Sequence, residues 1–186
     1  MQEEEIIKKK GEKAKIWLSD KYNLTILGII IIAIVIRLYY FFIAKDQAHW
    51  WDSLAFGDVA KNMILDLWRD NAFVAHEIII RPPLLSLFWS FFLRLGASDA
   101  VTLFFLEIIP SVLSIFFISA IAKEMYGEKV AILAGFISAV SWMHIFYSVR
   151  IMSDVPALFF SLASIYFFVK SYEKIESRNY EFALAI

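Results

Sequence analysis

The stretch LTILGIIIIAIVIRLYYFFIA, Leu24 to Ala44, decides the fold. A helix needs about 20 apolar residues to cross the hydrocarbon core of a bilayer. This run supplies them with one charge, Arg37, and ends in Tyr39, Tyr40, Phe41 and Phe42, the composition of an interfacial aromatic belt. The whole chain carries the same bias. Of its 186 residues, 60% are hydrophobic and 17% aromatic, and mean hydropathy is +0.65. Soluble domains sit nearer about 45–50% apolar.

Three more apolar blocks follow, Val101 to Ala122, Val130 to Val149 and Val155 to Tyr172. The expected fold is therefore all-α, a multi-pass transmembrane helical bundle of about four complete spans. Residues 1–23 precede it as a charged segment, with Glu3, Glu4 and Glu5 followed by Lys8, Lys9, Lys10, Lys13, Lys15 and Lys21. That segment reads as a solvated, basic lead-in. No small-residue cleavage site follows the first apolar block, so the block is expected to remain as a signal anchor. Residues 24–186 form the membrane domain. Tyr180 to Ile186 look like the start of a further apolar block, so the domain is expected to continue beyond the chain.

Lysine and arginine set the expected orientation, because cytoplasmic segments carry the excess of both. Lys123 and Lys129 lie between the second and third blocks, and Lys170, Lys174 and Arg178 end the fourth. With the N-terminus in the cytoplasm, these segments fall inside. Residues 45–98 and 150–154 then fall outside. The expected location is the cell (plasma) membrane.

The first external loop, 45–98, changes character. Phe56, Val59, Met63 and Leu67 share one helical face, while Asp58, Lys61, Asp66 and Arg69 share the other, the pattern of an amphipathic helix lying on a membrane or on other helices. After Pro82-Pro83 comes LLSLFWSFFLRL, Leu84 to Leu95. A helix rises about 1.5 Å per residue, so this piece covers about 18 Å of a core about 30 Å thick. It is expected to lie in the interface or insert halfway. A full crossing would put Asp52 and Asp154 on opposite faces.

Several residues could carry chemistry. Asp52 follows His49-Trp50-Trp51 at the outer end of the first span. It reads either as a helix cap or as a general base that takes the proton of an attacking hydroxyl. Asp154 precedes Val155-Pro156 and has the same two readings, with Arg150 four residues earlier as a possible ion-pair partner. If both aspartates face one side, they could share the site or bind a divalent metal ion through oxygen ligands. Arg81 follows His76-Glu77 and is held extended by Pro82-Pro83. It reads as a snorkelling arginine or as a phosphate contact suited to its forked guanidinium. Arg37 and Glu107 are charges at similar depth inside two spans. Such charges are costly and face the bundle interior with a partner, so an Arg37–Glu107 pair is expected. His144 and Tyr147 could line the same cavity.

Other chemistries are excluded. The chain has no cysteine, hence no disulfide or cysteine metal site. It has no glycine-rich phosphate loop, HExxH or GxSxG, and no basic patch of the nucleic-acid type.

These pieces, in this order, resemble the GT-C superfamily of membrane glycosyltransferases, in particular the protein O-mannosyltransferase, lipid A aminoarabinose transferase and RgtA-like group. The resemblance covers residues 24–186. It rests on the aromatic end of the first span, on Asp52-Ser53-Leu54-Ala55-Phe56 at the D-E-x-x-Y motif, on Arg81-Pro82-Pro83-Leu84, on the Tyr126-Gly127-Glu128-Lys129 turn and on Asp154. Ser53 and Phe56 replace the usual acid and tyrosine, and Glu107 stands where relatives often carry arginine. The resemblance implies a glycosyltransferase that moves a sugar from a polyprenyl-phosphate donor to an acceptor hydroxyl at the outer face, with inversion. Asp52 and Asp154 would be catalytic, and both are candidates for holding a divalent metal ion. Arg81 and Arg150 would bind the donor phosphate. Arg37, Glu107, His76, Glu77 and His144 would line or support the cavity. The donor and membrane lipid would be the partners, with an acceptor not named by the sequence and no nucleic acid. The alternative is a non-enzymatic multi-pass protein, a transporter or assembly subunit. A transporter should carry polar residues near the midplane of several spans, whereas here polarity gathers at the outer surface.

Overall fold

The computed structural model describes residues 19–47, 49, 52–64, 76, 80, 81 and 83–184, the side chains of 173–184 excepted. Among these residues the chain is helical and contains no strand. In chain order the helices are α1 (Lys21–Ala44), α2 (Asp52–Ile64), α3 (Leu84–Arg94), α4 (Asp99–Tyr126), α5 (Glu128–Val140), α6 (Trp142–Ser148) and α7 (Asp154–Leu184). Three are long and apolar enough to cross a membrane: α1, α4 and the Asp154–Tyr172 part of α7. A fourth crossing exists if α5 and α6, which meet at 55°, form one broken span.

The spans are cut by local chemistry. Asp20 caps α1, its side chain accepting from the Tyr22 amide at 3.0 Å. Ser98 does the same for α4 through Val101 at 3.3 Å. Between α4 and α5, Gly127 takes φ 87°, a turn that side chains other than glycine adopt at a cost. Proline leaves a mark inside α4. Pro110 has no amide hydrogen for the Leu106 carbonyl, and its ring crowds that carbonyl. The helix responds with a π turn over Phe104–Ile108, in which the Ile109 amide reaches back to the Phe104 carbonyl.

Helices α1, α4 and α5 meet through small side chains. Ala33, Ala131 and Ala139 have no exposed surface and cluster with Ile29 and Ile115, and Ser111 and Ser114 are equally buried. Small residues let backbones approach where lipid offers no hydrophobic drive to associate. The opposite faces carry exposed Ile31, Val35, Phe116, Leu133, Ile137 and Phe167, the apolar coat that lipid would cover.

A second cluster builds the loop layer. Phe56 and Ala60 of α2, Leu85 and Trp89 of α3, Leu103 of α4 and Ile151 pack together. As expected from its length, α3 is not among the helices long enough to cross a membrane. Its 11 residues rise about 16 Å. Leu85, Ser86, Trp89 and Ser90 are buried, while Leu84, Leu87, Phe88 and Phe91 stay exposed.

Two sequence expectations need correction. The block Val130 to Val149 is not one straight helix. Ser141 is extended (φ −59°, ψ 116°), so α5 stops at Val140 and α6 leaves at an angle. Nor does Arg37 pair with Glu107. The break frees carbonyls at the end of α5, and Arg37 takes one: its guanidinium donates to the Ala139 carbonyl at 3.1 Å. It also donates to the Ser111 hydroxyl at 2.6 Å, to the Ala33 carbonyl at 3.3 Å and to His144 Nδ1 at 3.2 Å. A cation at the C-terminal end of α5 also meets the negative end of that helix dipole. Because arginine only donates, His144 accepts on Nδ1 and keeps its proton on Nε2, 3.1 Å from Ser111. Four neutral acceptors thus solvate one buried charge. Glu107 instead accepts from the Met152 amide at 2.9 Å.

Two outcomes follow from these contacts. Arg37→Met strands acceptors on four helices and should lower stability by about 2–3 kcal/mol, read by denaturant unfolding in mixed micelles. Gly57→Ala should also destabilise, although glycine to alanine in a helix interior normally gains about 0.5–1 kcal/mol. A Cβ at Gly57 would lie 2.9 Å from the ring of fully buried Trp89. The same unfolding measurement decides the sign.

Candidate functional site

Polar contacts gather at the two ends of the bundle. At one end Lys123 lies 3.7 Å above the Tyr22 ring and 3.1 Å from Glu128, and Lys170 meets Glu124 at 2.5 Å. At the other end lie Asp52, Arg81 and Asp154, singled out above.

Asp52 is the first residue of α2, where a carboxylate meets the positive end of the helix dipole. Arg81 stands three residues before α3 and donates to Asp52 Oδ1 at 2.8 Å. The aspartate motif and the arginine ahead of the prolines, 29 residues apart, therefore meet. The pair is partly open, with Asp52 55% and Arg81 28% exposed.

Two residues beyond Arg81 a groove begins. Its volume is about 1160 Å³, and its lining is almost wholly apolar. Leu84, Leu87, Phe88 and Phe91 of α3 form one wall. Pro110 of α4 and Phe160 of α7 stand across from them.

Asp154 opens α7 and is exposed. Its neighbours Ser153 and Pro156 line the same groove. The structure does not join it to the Asp52–Arg81 contact. Among the described residues Asp154 forms no hydrogen bond or ion pair with Asp52, Arg81 or Arg150. Arg150 instead turns onto α6, donating to the Phe146 carbonyl at 2.8 Å with its guanidinium 3.8 Å above the Phe146 ring. Burial pulls the Arg150 guanidinium below its ordinary pKa. Glu107, in the π turn, grips Met152 and so fixes the segment that leads into Asp154. Its Oε2 is buried and finds no hydrogen-bond partner among the described residues.

Arg37 and His144 belong to the bundle network described above, away from this contact. His76 is exposed, and Glu77 lies outside the described residues. No group of three or more His, Cys, Asp or Glu that could hold a metal ion occurs among the described residues. The Asp52 carboxylate has a guanidinium, not another carboxylate, against it.

One set of residues was not singled out from the sequence. Ser53, next to Asp52 and 3% exposed, lies 3.2 Å from His49 Nδ1. His49 Nε2 lies 3.1 Å from Asp99 Oδ2, and Asp99 Oδ1 accepts from the Trp89 indole at 3.1 Å. In the sequence, Asp99 after Ser98 has only the look of an acidic first helical turn.

Comparison with known proteins agrees with the architecture. The family model for dolichyl-phosphate-mannose-protein mannosyltransferase matches residues 80–186, more than half of the chain. The match takes in Arg81, α3, α4, the broken α5–α6 pair and α7. No curated protein and no solved structure gives a match. With its transmembrane helices and loop layer, the chain belongs to the dolichyl-phosphate-mannose-protein mannosyltransferase family and is a membrane glycosyltransferase of the GT-C type.

Proposed function

We propose that this protein transfers a sugar from a polyprenyl-phosphate donor to an acceptor hydroxyl at the outer face of the cell membrane, with inversion at the anomeric carbon. The observation that carries this reading is the Asp52–Arg81 contact standing where the apolar groove begins. An apolar groove open to the bilayer suits an isoprenoid chain. A guanidinium at its end suits the phosphate that such a chain carries.

In the reaction, the acceptor oxygen attacks the anomeric carbon, and the bond from that carbon to the phosphate oxygen breaks. The polyprenyl phosphate leaves with the bonding electrons, and the acceptor proton passes to Asp52. Arg81 serves twice. Before the donor arrives it balances the Asp52 charge. When the phosphate arrives it turns to those oxygens, leaving the carboxylate free to take the proton. Asp154, whose neighbours line the same groove, faces the sugar or the acceptor. Arg150, on the loop ahead of α7, would have to leave the Phe146 ring to add positive charge to the phosphate end.

Orientation follows from the two rims. The lysine-bearing rim with Lys123 and Lys170 is assigned to the cytoplasm, which places the N-terminus there and Asp52 outside.

Two measurements test this. Asp52→Asn and Arg81→Ala in the full-length protein should each lower transfer from a lipid-phosphate sugar by about 100-fold or more. Arg81→Lys should recover part of the loss. Unchanged turnover in both variants overturns the mechanism. Leu87→Asp puts a carboxylate into the groove wall and should raise KM about tenfold or more for a long-chain donor, since a charge in an apolar site is costly. A water-soluble donor with a short isoprenoid should be little affected. Equal effects on both donors would place the lipid chain elsewhere.

A further inference from the structure

The Asp52–Arg81 contact cannot hold itself in place. An ion pair this open to water contributes about 0–1 kcal/mol, less than the entropy of fixing two flexible side chains on separate segments. Contacts beyond the pair must set its geometry.

We propose that Asp99, with His49, is a positioning residue that clamps the two halves of this pair together. The two oxygens of one carboxylate divide the task. Oδ2 meets His49, whose other nitrogen meets Ser53, the residue after Asp52. Oδ1 takes the indole hydrogen of Trp89 on α3, the helix that Arg81 precedes. Asp99 itself sits in the first turn of a membrane-spanning helix and is fixed by it. One anchored side chain therefore reaches both the Asp52 side and the Arg81 side. The clamp is packed as well as bonded. Trp89 is fully buried with Gly57 of α2 against its ring, His49 stacks edge-on to the same ring at 5.1 Å, and the Ser86 hydroxyl donates to the Phe56 carbonyl at 3.0 Å. The hydrogen-bond roles are consistent. With Nε2 protonated, His49 donates to Asp99 and accepts the Ser53 hydroxyl on Nδ1.

The meaning of the clamp for catalysis rests on the reaction proposed above, but its geometry can be read separately. The chain has no cysteine, so paired cysteines can be introduced at the exposed positions 54 and 80, which flank the pair without replacing it, and spin-labelled in lipid nanodiscs. Labels at 113 and 133, both exposed on the bundle, serve as the control pair. Asp99→Ala should broaden the 54–80 distance distribution at least twofold and leave the 113–133 distribution unchanged. Asp99→Asn, which keeps only one acceptor oxygen, should fall between. An unchanged 54–80 distribution overturns the clamp. Equal broadening of both pairs also overturns it, because Asp99 would then support the whole fold. Where transfer is measured, Asp99→Ala should lower kcat at least tenfold with donor KM within twofold. A parent protein without transfer activity would remove the proposed reaction and leave the label experiment to judge the clamp.

Discussion

A guanidinium inside an apolar helix has to be solvated by the protein, and that requirement at Arg37 organises the bundle. Water is not there to do it, and lipid cannot. A straight α5 would offer nothing, because a continuous helix consumes its own carbonyls. Breaking the helix after Val140 releases the acceptor that Arg37 takes from Ala139. The Tyr40 ring packs edge-on to Trp142 at 5.7 Å across the same bend. The break therefore costs little, since the freed group is satisfied at once. It also redirects α6, so that the chain returns over the bundle end, buries Ile151 in the outer cluster and brings the Met152 amide to Glu107. The start of α7, with Asp154, inherits its position from that sequence of contacts.

The outer layer answers a second constraint, the thickness of the bilayer. A helix as short as α3 cannot cross, so it must lie with one face on protein and the other toward lipid. Its buried face presents Trp89 to Asp99 and Ser86 to α2, and its other face becomes a wall of the groove. The same short element thus holds the charged contact and borders an apolar channel beside it. A full crossing would have separated these two features by the width of the membrane.

The spans and the interfacial helix were legible because they are set by length and composition, which a sequence displays directly. The Asp52–Arg81 contact was legible in part: each residue sat at a boundary where a charge needs a reason. The partner of Arg37 was not. Matching charges by depth pairs it with Glu107, but its real partners are two backbone carbonyls, a hydroxyl and an imidazole. The decisive acceptor exists only because α5 breaks at Ser141, where neither proline nor glycine announces it. The role of Asp99 was hidden for a similar reason. Ser98-Asp99 satisfies a helix start so well that nothing in the local pattern asks for a further function.

The exposure of the Asp52–Arg81 pair bears on how such a site can turn over. Had both charges been buried, separating them would leave each without solvent, at a cost of several kcal/mol. With more than half of the Asp52 side chain in water, the guanidinium can exchange a carboxylate for a phosphate at little cost, since water covers whichever group it leaves. The fixed part of the site is then one residue away from the proposed chemistry, in the Ser53–His49–Asp99–Trp89 chain, whose two ends, Ser53 and Trp89, are buried, while the charges proposed to meet the substrate stay free to change partners. A site built in the opposite way, with a buried pair and a mobile scaffold, would bind its own arginine too tightly to give it up.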